Sequence, residues 1–322
     1  MKKLLTAIIA GFSVATCALS AQADERLLIG TTSSSSSHYS YFVAINQILN
    51  EHLEGVSSTI AETGATMDNL RRMSRDQIDM GIVTTNTGYH AYHGLEEFEG
   101  RPVDTRLLWV YTVAPQNMVM RQDAGITSLE ELEGVRFNPG ITGSGTESTT
   151  EAVMQTLGIS PDYVRGSGGD IVDAMKDNRV VGAGKSGVGN RLDGSSMDIA
   201  TFTPINVLSL SAEQAETLRT EMKDIGIIDV PAGAAEGIPA YTTWAFGVAV
   251  HARPDLDEEL VYQIVKAVME NPEPQANAFS AMRDADIAGM TLDVGTVPLH
   301  AGAARYFEEQ GHEIPAALQP VQ

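Results

Sequence analysis

Between Arg26 and Asn86 one pattern occurs three times: a short apolar run, a hydroxyl-rich loop, then apolar residues at helical spacing. Arg26 to Thr31 reads as a strand ending in TTSSSSS, and Tyr41, Ile45, Ile48, Leu49 and Leu53 then recur on one helical face. Val56 to Ala61 is a second strand, followed by Thr63-Gly64 and a helix carrying Met67, Leu70 and Met73. Met80 to Val83 is the third, running into Thr84, Thr85 and Asn86. This alternation predicts an α/β fold, a mostly parallel sheet with helices on both faces. Ligands of such sheets sit in the crevice beyond the carboxyl ends of the strands, where all three loops fall.

The alternation then resumes. Leu108 to Met120 holds two apolar stretches interrupted by Ala114-Pro115-Gln116. Ser128 to Leu132 reads as a short capped helix and Val135 to Phe137 as a strand; NPGITGSGT opens a helix from about Glu147 to Leu157. A helix at Asp170 to Asn178 precedes a strand at Val180 to Ala183, and an apolar strand returns at Tyr241 to Val250. A helix at Leu260 to Met269 precedes Pro272. The simplest architecture is two α/β lobes joined by crossing strands near Val113 to Val119 and Thr243 to Val248. Residues 24–114 plus 248–322 would form lobe 1, and 115–247 an inserted lobe 2.

The N-terminus points to export. Lys2 and Lys3 precede an apolar run from Leu4 to Leu19, and Ala21-Gln22-Ala23 forms an A-x-A site. Residues 1–23 are therefore expected to be a signal peptide cleaved near Ala23/Asp24, with a periplasmic mature chain. The run is short of the roughly 20 residues that span a bilayer. The only cysteine, Cys17, lies in this leader, and Thr16 before it argues against lipidation. Without another cysteine, disulfides, thiolate catalysis and cysteine-ligated zinc are excluded from the mature chain. The formal charge of −21 repels nucleic acid and anionic lipid, so neither is an expected partner. An anionic ligand would have to be held by local dipoles and one or two fixed cations.

Two loops have the chemistry for that. Ser33 to Ser37 lies between a strand and a helix, where hydroxyls and backbone N–H groups make an anion site. Gly143-Ser144-Gly145-Thr146 has the same design: glycines permit close backbone approach, and Ser144 or Thr146 caps the helix. Helix capping or a flexible linker is the plainer account of each. Lys185 follows an apolar strand at the cleft end of lobe 2 and could hold a carboxylate as a point charge, or be a solvated surface lysine. Arg191 is a weaker candidate for that role, and Tyr39, Tyr241 and Trp244 could supply walls with a polar tip.

Other motifs carry less. Gly182 to Gly187 matches G-x-G-x-x-G, but the following VGNRLDGSS does not read as the helix a dinucleotide site requires. A phosphate loop would need glycine where Arg179 stands. His90 and His93 have metal-ligand spacing without a convincing carboxylate partner. No G-x-S-x-G occurs, and nothing nominates a catalytic residue, cofactor or metal.

VPLHAGAARYFEEQG, from Val297 to Gly311, resembles the C-terminal signature of TAXI-type solute receptors, the extracytoplasmic binding subunits of a branch of the TRAP transporters. IGTTSSSSSHYSYFVAINQIL, ETGATMDNLRRM, DMGIVTTNTGYHAYHG and NPGITGSGTEST are similar to that family's other motifs, in the same order. The resemblance implies a bilobal periplasmic-binding-protein fold with two crossing strands. It also implies capture of a small solute and delivery to membrane permease subunits of the TRAP class. Characterised members point to glutamate and related carboxylates. Ala65 and Thr66 stand where glycine and serine are usual, Thr84-Thr85-Asn86 replaces a Gln-Ser-Asp, and GAGKSGVGNRLD replaces an aspartate, aromatic residues and a proline.

The expected ligand-binding residues are Thr32, Ser33 and Tyr39, Thr63, Thr84 and Thr85, Gly143 to Thr146, and Lys185 with Tyr241. A monomer is expected. The alternatives are a secreted enzyme on the same bilobal fold acting on a small carboxylate, and a secreted scaffold or adhesin.

Overall fold

The computed structural model describes residues 25–321. The expected leader, its cleavage site and Cys17 lie outside the described residues. Ten strands follow in chain order: β1 (Glu25–Gly30), β2 (Val56–Ala61), β3 (Met80–Thr84), β4 (Arg106–Arg121), β5 (Arg136–Asn138), β6 (Asp162–Tyr163), β7 (Gly182–Ser186), β8 (Ile205–Leu208), β9 (Gly226–Val230) and β10 (Tyr241–Ala252).

The strands lie in the order β2-β1-β3-β10-β4-β7-β5-β6, with β8 on β4 and β9 on β10. β1 is parallel to β2 and β3. In the second lobe β5 is parallel to β6 and β7. Every antiparallel pairing involves β4 or β10, the strands that run between the lobes. This is the bilobal α/β architecture expected, parallel in its wings and antiparallel along its spine.

The spine explains one departure from the sequence pattern. The two apolar stretches around Ala114-Pro115-Gln116 form a single strand, β4. Pro115 is opposite Ala245 where β4 parts from β10, and from Gln116 onward β4 pairs with β7. A proline lacks the N–H that a ladder needs, so it is tolerated where partners change. Beyond it, alternate residues face opposite ways, as a period of two requires. Val119 enters a core with Ile171, Met175 and Val230. Met118 and Met120 enter another with Phe137, Leu218 and Trp244.

β7 lies two residues later than the expected Val180 to Ala183, so Lys185 is inside the strand, opposite Asn117. Its glycines permit the packing: a Cβ on Gly182 would come 2.3 Å from Met120 Sδ, and one on Gly184 2.6 Å from the Pro139 carbonyl oxygen. The G-x-G pair thus serves strand contact. A helix does follow, at Gly194–Phe202, capped by Asp193. It begins after the Val188–Arg191 bridge, too late for a dinucleotide fingerprint.

The first-lobe core gathers Tyr41, Phe42, Trp109, Tyr111 and Phe307. The helix Ala301–Glu309 begins after the capping residue His300. It packs on the helix Glu258–Glu270, so closely that a Cβ on Gly302 would fall 2.3 Å from the Glu258 carbonyl oxygen. Full burial of Phe307 contributes on the order of 2 kcal/mol. Among the described residues no helix is long and apolar enough to cross a membrane.

Candidate functional site

Five helices begin beyond the carboxyl ends of β1, β2, β3, β5 and β7. Their N-terminal capping residues are Ser36, Ala65, Thr84, Ser144 and Asp193. All five line one cavity of about 60 Å³ between the lobes. A volume of this kind holds a handful of waters or a small solute, since each water needs roughly 10–15 Å³. Each helix N-terminus presents about half a positive charge through its unsatisfied N–H groups. Ser36, Ser144 and Asp193 cap their helices with side-chain oxygens, whereas Ala65 and Thr84 make no side-chain cap. Ala65 has φ 63°, ψ −141°, a conformation that favours glycine and stores on the order of 1–3 kcal/mol of strain.

Lys185 brings the full charge. Its side chain lines the cavity, is 5% exposed, and makes no hydrogen bond or ion pair with any described residue. Burial lowers its pKa, and Asp193 acts the other way. Asp193 is occupied as a cap: Oδ2 accepts from the N–H and hydroxyl of Ser195, and Oδ1 from those of Ser196. Its charge reaches Lys185, but its oxygens are engaged by the helix. Thr84 Oγ1, 6% exposed by residue and also on the cavity, has no hydrogen-bond partner among the described residues.

His38 stands beside this pair. Its Nδ1 is 2.8 Å from Tyr111 Oη and its Nε2 3.2 Å from Ser186 Oγ. Burial pushes its pKa down to about 4, against the pull of Asp193, so the ring is neutral near pH 7. The contact with Ser186 also joins the lobes. Met67 N donates to the Gly143 carbonyl at 2.8 Å, Gly194 N to Ser37 Oγ at 2.9 Å, and Asn86 Nδ2 to Thr149 Oγ1 at 2.7 Å. His90 Nε2 is 3.3 Å from Asp224 Oδ2 across the same seam. Among the described residues no cluster of three or more such side chains is placed to hold a metal ion.

Of the residues singled out from sequence, Thr32, Thr84, Ser144, Gly145, Thr146 and Lys185 line the cavity, as do Ser35 and Ser36 of the serine loop. The other expected ligand-binding residues do not, and each has a local occupation. Ser33 Oγ is 3.1 Å from Ser35 Oγ and lies under Gly168. Thr63 donates to the Thr31 carbonyl at 2.7 Å, and Thr85 Oγ1 accepts from Gly247 N at 3.0 Å. Gly143, at φ 83°, supplies backbone to the seam. Tyr241 donates to Asn117 Oδ1 at 2.6 Å, and Tyr39 is half-buried on its helix, away from the cavity lining. Trp244 is buried in the second-lobe core, and Arg191 is exposed. Sequence reasoning missed His38, Ser186 and Asp193. Only the last had a local signal, an Asp-Gly-Ser-Ser cap.

The fold of two α/β lobes is shared with solute-binding proteins. The ligand-binding component of an ABC-type import system from Staphylococcus aureus, solved with zinc bound, superposes with a TM-score of 0.51 at 9% identity, over 92% of this chain and 96% of that one. A TRAP periplasmic solute-binding protein from a Sulfitobacter species, with bound β-D-galacturonate, gives 0.48 at 10% identity over 90% and 88%. The alkanesulfonate-binding protein SsuA from Xanthomonas axonopodis pv. citri, bound to MOPS, gives 0.43 at 15% over 92% and 87%. At these identities the first likeness speaks to fold alone. Residues 29–311 match the NMT1-like family, and the chain belongs to it.

Proposed function

We propose that this chain is a periplasmic solute receptor. It captures a small carboxylate between its lobes and passes it to the permease subunits of a TRAP-type transporter. The observation that carries the reading is the convergence of five helix N-termini and the unpartnered, buried Lys185 on one cavity. Partial positive charges that need no reorganisation, beside one full positive charge, favour an anion. The membership in the NMT1-like family and the fold it shares with transport receptors support capture and delivery over catalysis. The TRAP permease, and glutamate or another amino acid as one possible solute, rest on the sequence resemblance. Lobe boundaries at 114/115 and 247/248, beside the residues where β4 and β10 change partners, support closure about these strands.

A thermal-shift screen of monocarboxylates, dicarboxylates, oxo acids and amino acids, with sugars and inorganic cations alongside, tests the reading. A ligand at 100-fold excess over its dissociation constant adds about 2.7 kcal/mol to a native state that alone binds it. A clear rise in melting temperature with a small carboxylate is expected. Stabilisation confined to sugars or cations would overturn the anion reading.

A further inference from the structure

We infer that the site selects a carboxylate bearing a neutral hydroxyl, a 2-hydroxy acid, over its deoxy and amino counterparts, and that the buried Gln116 sets this preference. The inference rests on the carboxylate-receptor reading and specifies its ligand. Gln116 is fully buried on β4, just behind the cavity wall. Its Nε2 donates to the Ala114 carbonyl at 2.9 Å, which fixes the amide: turned over, it would set two oxygens against each other. Its Oε1 therefore faces Thr146 Oγ1 at 2.9 Å. An amide oxygen can only accept, so the Thr146 hydroxyl spends its one proton there. What Thr146 offers the cavity is a lone pair, an acceptor in search of a donor.

Ser186 has the opposite polarity. Tyr111 is fully buried, and the His38 ring is the hydroxyl's sole partner among the described residues. Tyr111 must donate to Nδ1, because accepting there would strand its own buried proton. In the neutral ring the proton then sits on Nε2 and is donated to Ser186 Oγ at 3.2 Å. Gln116 Nε2 approaches the same oxygen at 3.5 Å. With its oxygen accepting on the protein side, Ser186 turns its O–H toward the cavity as a donor.

The cavity is thus polarised. Ser186, Lys185 and the unpartnered Thr84 hydroxyl give hydrogen bonds to a ligand's oxygens, and Thr146 takes one from it, as can Ser195, whose own proton goes to Asp193. A carboxylate without a donor leaves Thr146 unanswered. An ammonium could answer it, but Thr146 lies in the first turn of the helix Gly145–Thr156, where the helix dipole repels positive charge. The one carboxylate on the cavity, Asp193, has both oxygens engaged by Ser195 and Ser196. A hydroxyl meets the demand without a charge.

Calorimetric titration with three matched sets tests this: glycolate, acetate and glycine; lactate, propionate and alanine; malate, succinate and aspartate, with both enantiomers where they exist. In the best-binding set the hydroxy acid should bind about tenfold tighter than the other two, the scale of the one extra hydrogen bond that it alone makes with Thr146. Thr146→Val should shrink that preference to about threefold or less while the deoxy acid still binds, and Thr146→Ser should keep it. Equal binding of hydroxy and deoxy acids by the unaltered protein, or tighter binding of an amino acid, overturns the inference and leaves the receptor reading standing. Binding of no carboxylate at all overturns both.

Discussion

Lys185 is costly to the fold by itself, and the proposed function gives that cost a purpose. Its ammonium is taken out of water between the lobes without a partner in contact, and its pKa falls for that reason. A bound carboxylate would supply the missing partner. Lys185→Met keeps the length of the side chain and removes the charge. Losing one member of a buried charge pair costs about 2–5 kcal/mol of binding, chiefly through faster dissociation. Calorimetry should therefore show affinity for the best carboxylate falling more than about tenfold. The ligand-free melting temperature should stay level or rise, because an unpaired buried charge has been replaced by an apolar side chain. Unchanged affinity would remove Lys185 from the site. The sequence led to this residue through its place at the end of an apolar strand. It held no hint that Lys185 would be nearly sealed from solvent, because burial here is set by the opposite lobe.

At the scale of elements, the site is made by where helices start. Strand, polar loop and capped helix are local features, written in short runs such as Ile29 to Ser36 and Asn138 to Ser144. What the runs do not contain is the closeness of one helix start to another. Gly145 begins its helix against the first lobe: a Cβ there would come 2.3 Å from Thr84 Oγ1 and 3.0 Å from Thr84 Cβ. Its φ is unremarkable, so alanine suits the helix itself and clashes only when the lobes meet. Gly145→Ala should hold the lobes apart, with weakened ligand affinity and an intact fold. Small-angle scattering should show the unaltered protein contracting when ligand is added, by hinge closure, and the variant contracting less. Equal contraction in both would show that the lobes close without this contact.

For the whole molecule, two histidines buried neutral tie stability to pH. His38 has a pKa of about 4 and His251 of about 3, both lowered by burial from 6.5. An unfolded chain takes up protons at these sites as pH falls below 6.5, and the folded chain does not until near 4 and 3. Stability is thus fully present above pH 6.5 and is lost progressively as the pH falls through that window. Each group can contribute on the order of 3 kcal/mol at the acid end. His251, whose Nδ1 is 3.0 Å from Thr105 Oγ1, lies on β10 away from the cavity lining. His251→Asn should flatten the fall in melting temperature between pH 6.5 and 4 and leave ligand binding near pH 7 unchanged. An identical pH profile would show that His251 does not carry the linkage.

The amino-acid sequence by itself determined the α/β class, the succession of strands and helices, and the polar character of every loop at the strand ends. These follow from periodicities of two and 3.6 residues and from capping chemistry, which act over a few neighbours. It also brought Thr32, Thr84 and the Ser144 loop forward as polar groups at helix starts. Tertiary structure decided which of those groups share a cavity. It turned Thr63, Thr85 and Tyr241 to internal hydrogen bonds, set Asp193 beside Lys185, and drew His38 from one lobe to Ser186 in the other. It also placed Gln116 where one amide governs two hydroxyls. Such contacts join residues up to 162 positions apart, and their geometry depends on how two lobes meet along β4 and β10. No local pattern encodes that, because a side chain's hydrogen-bond polarity is settled by the last partner to reach it.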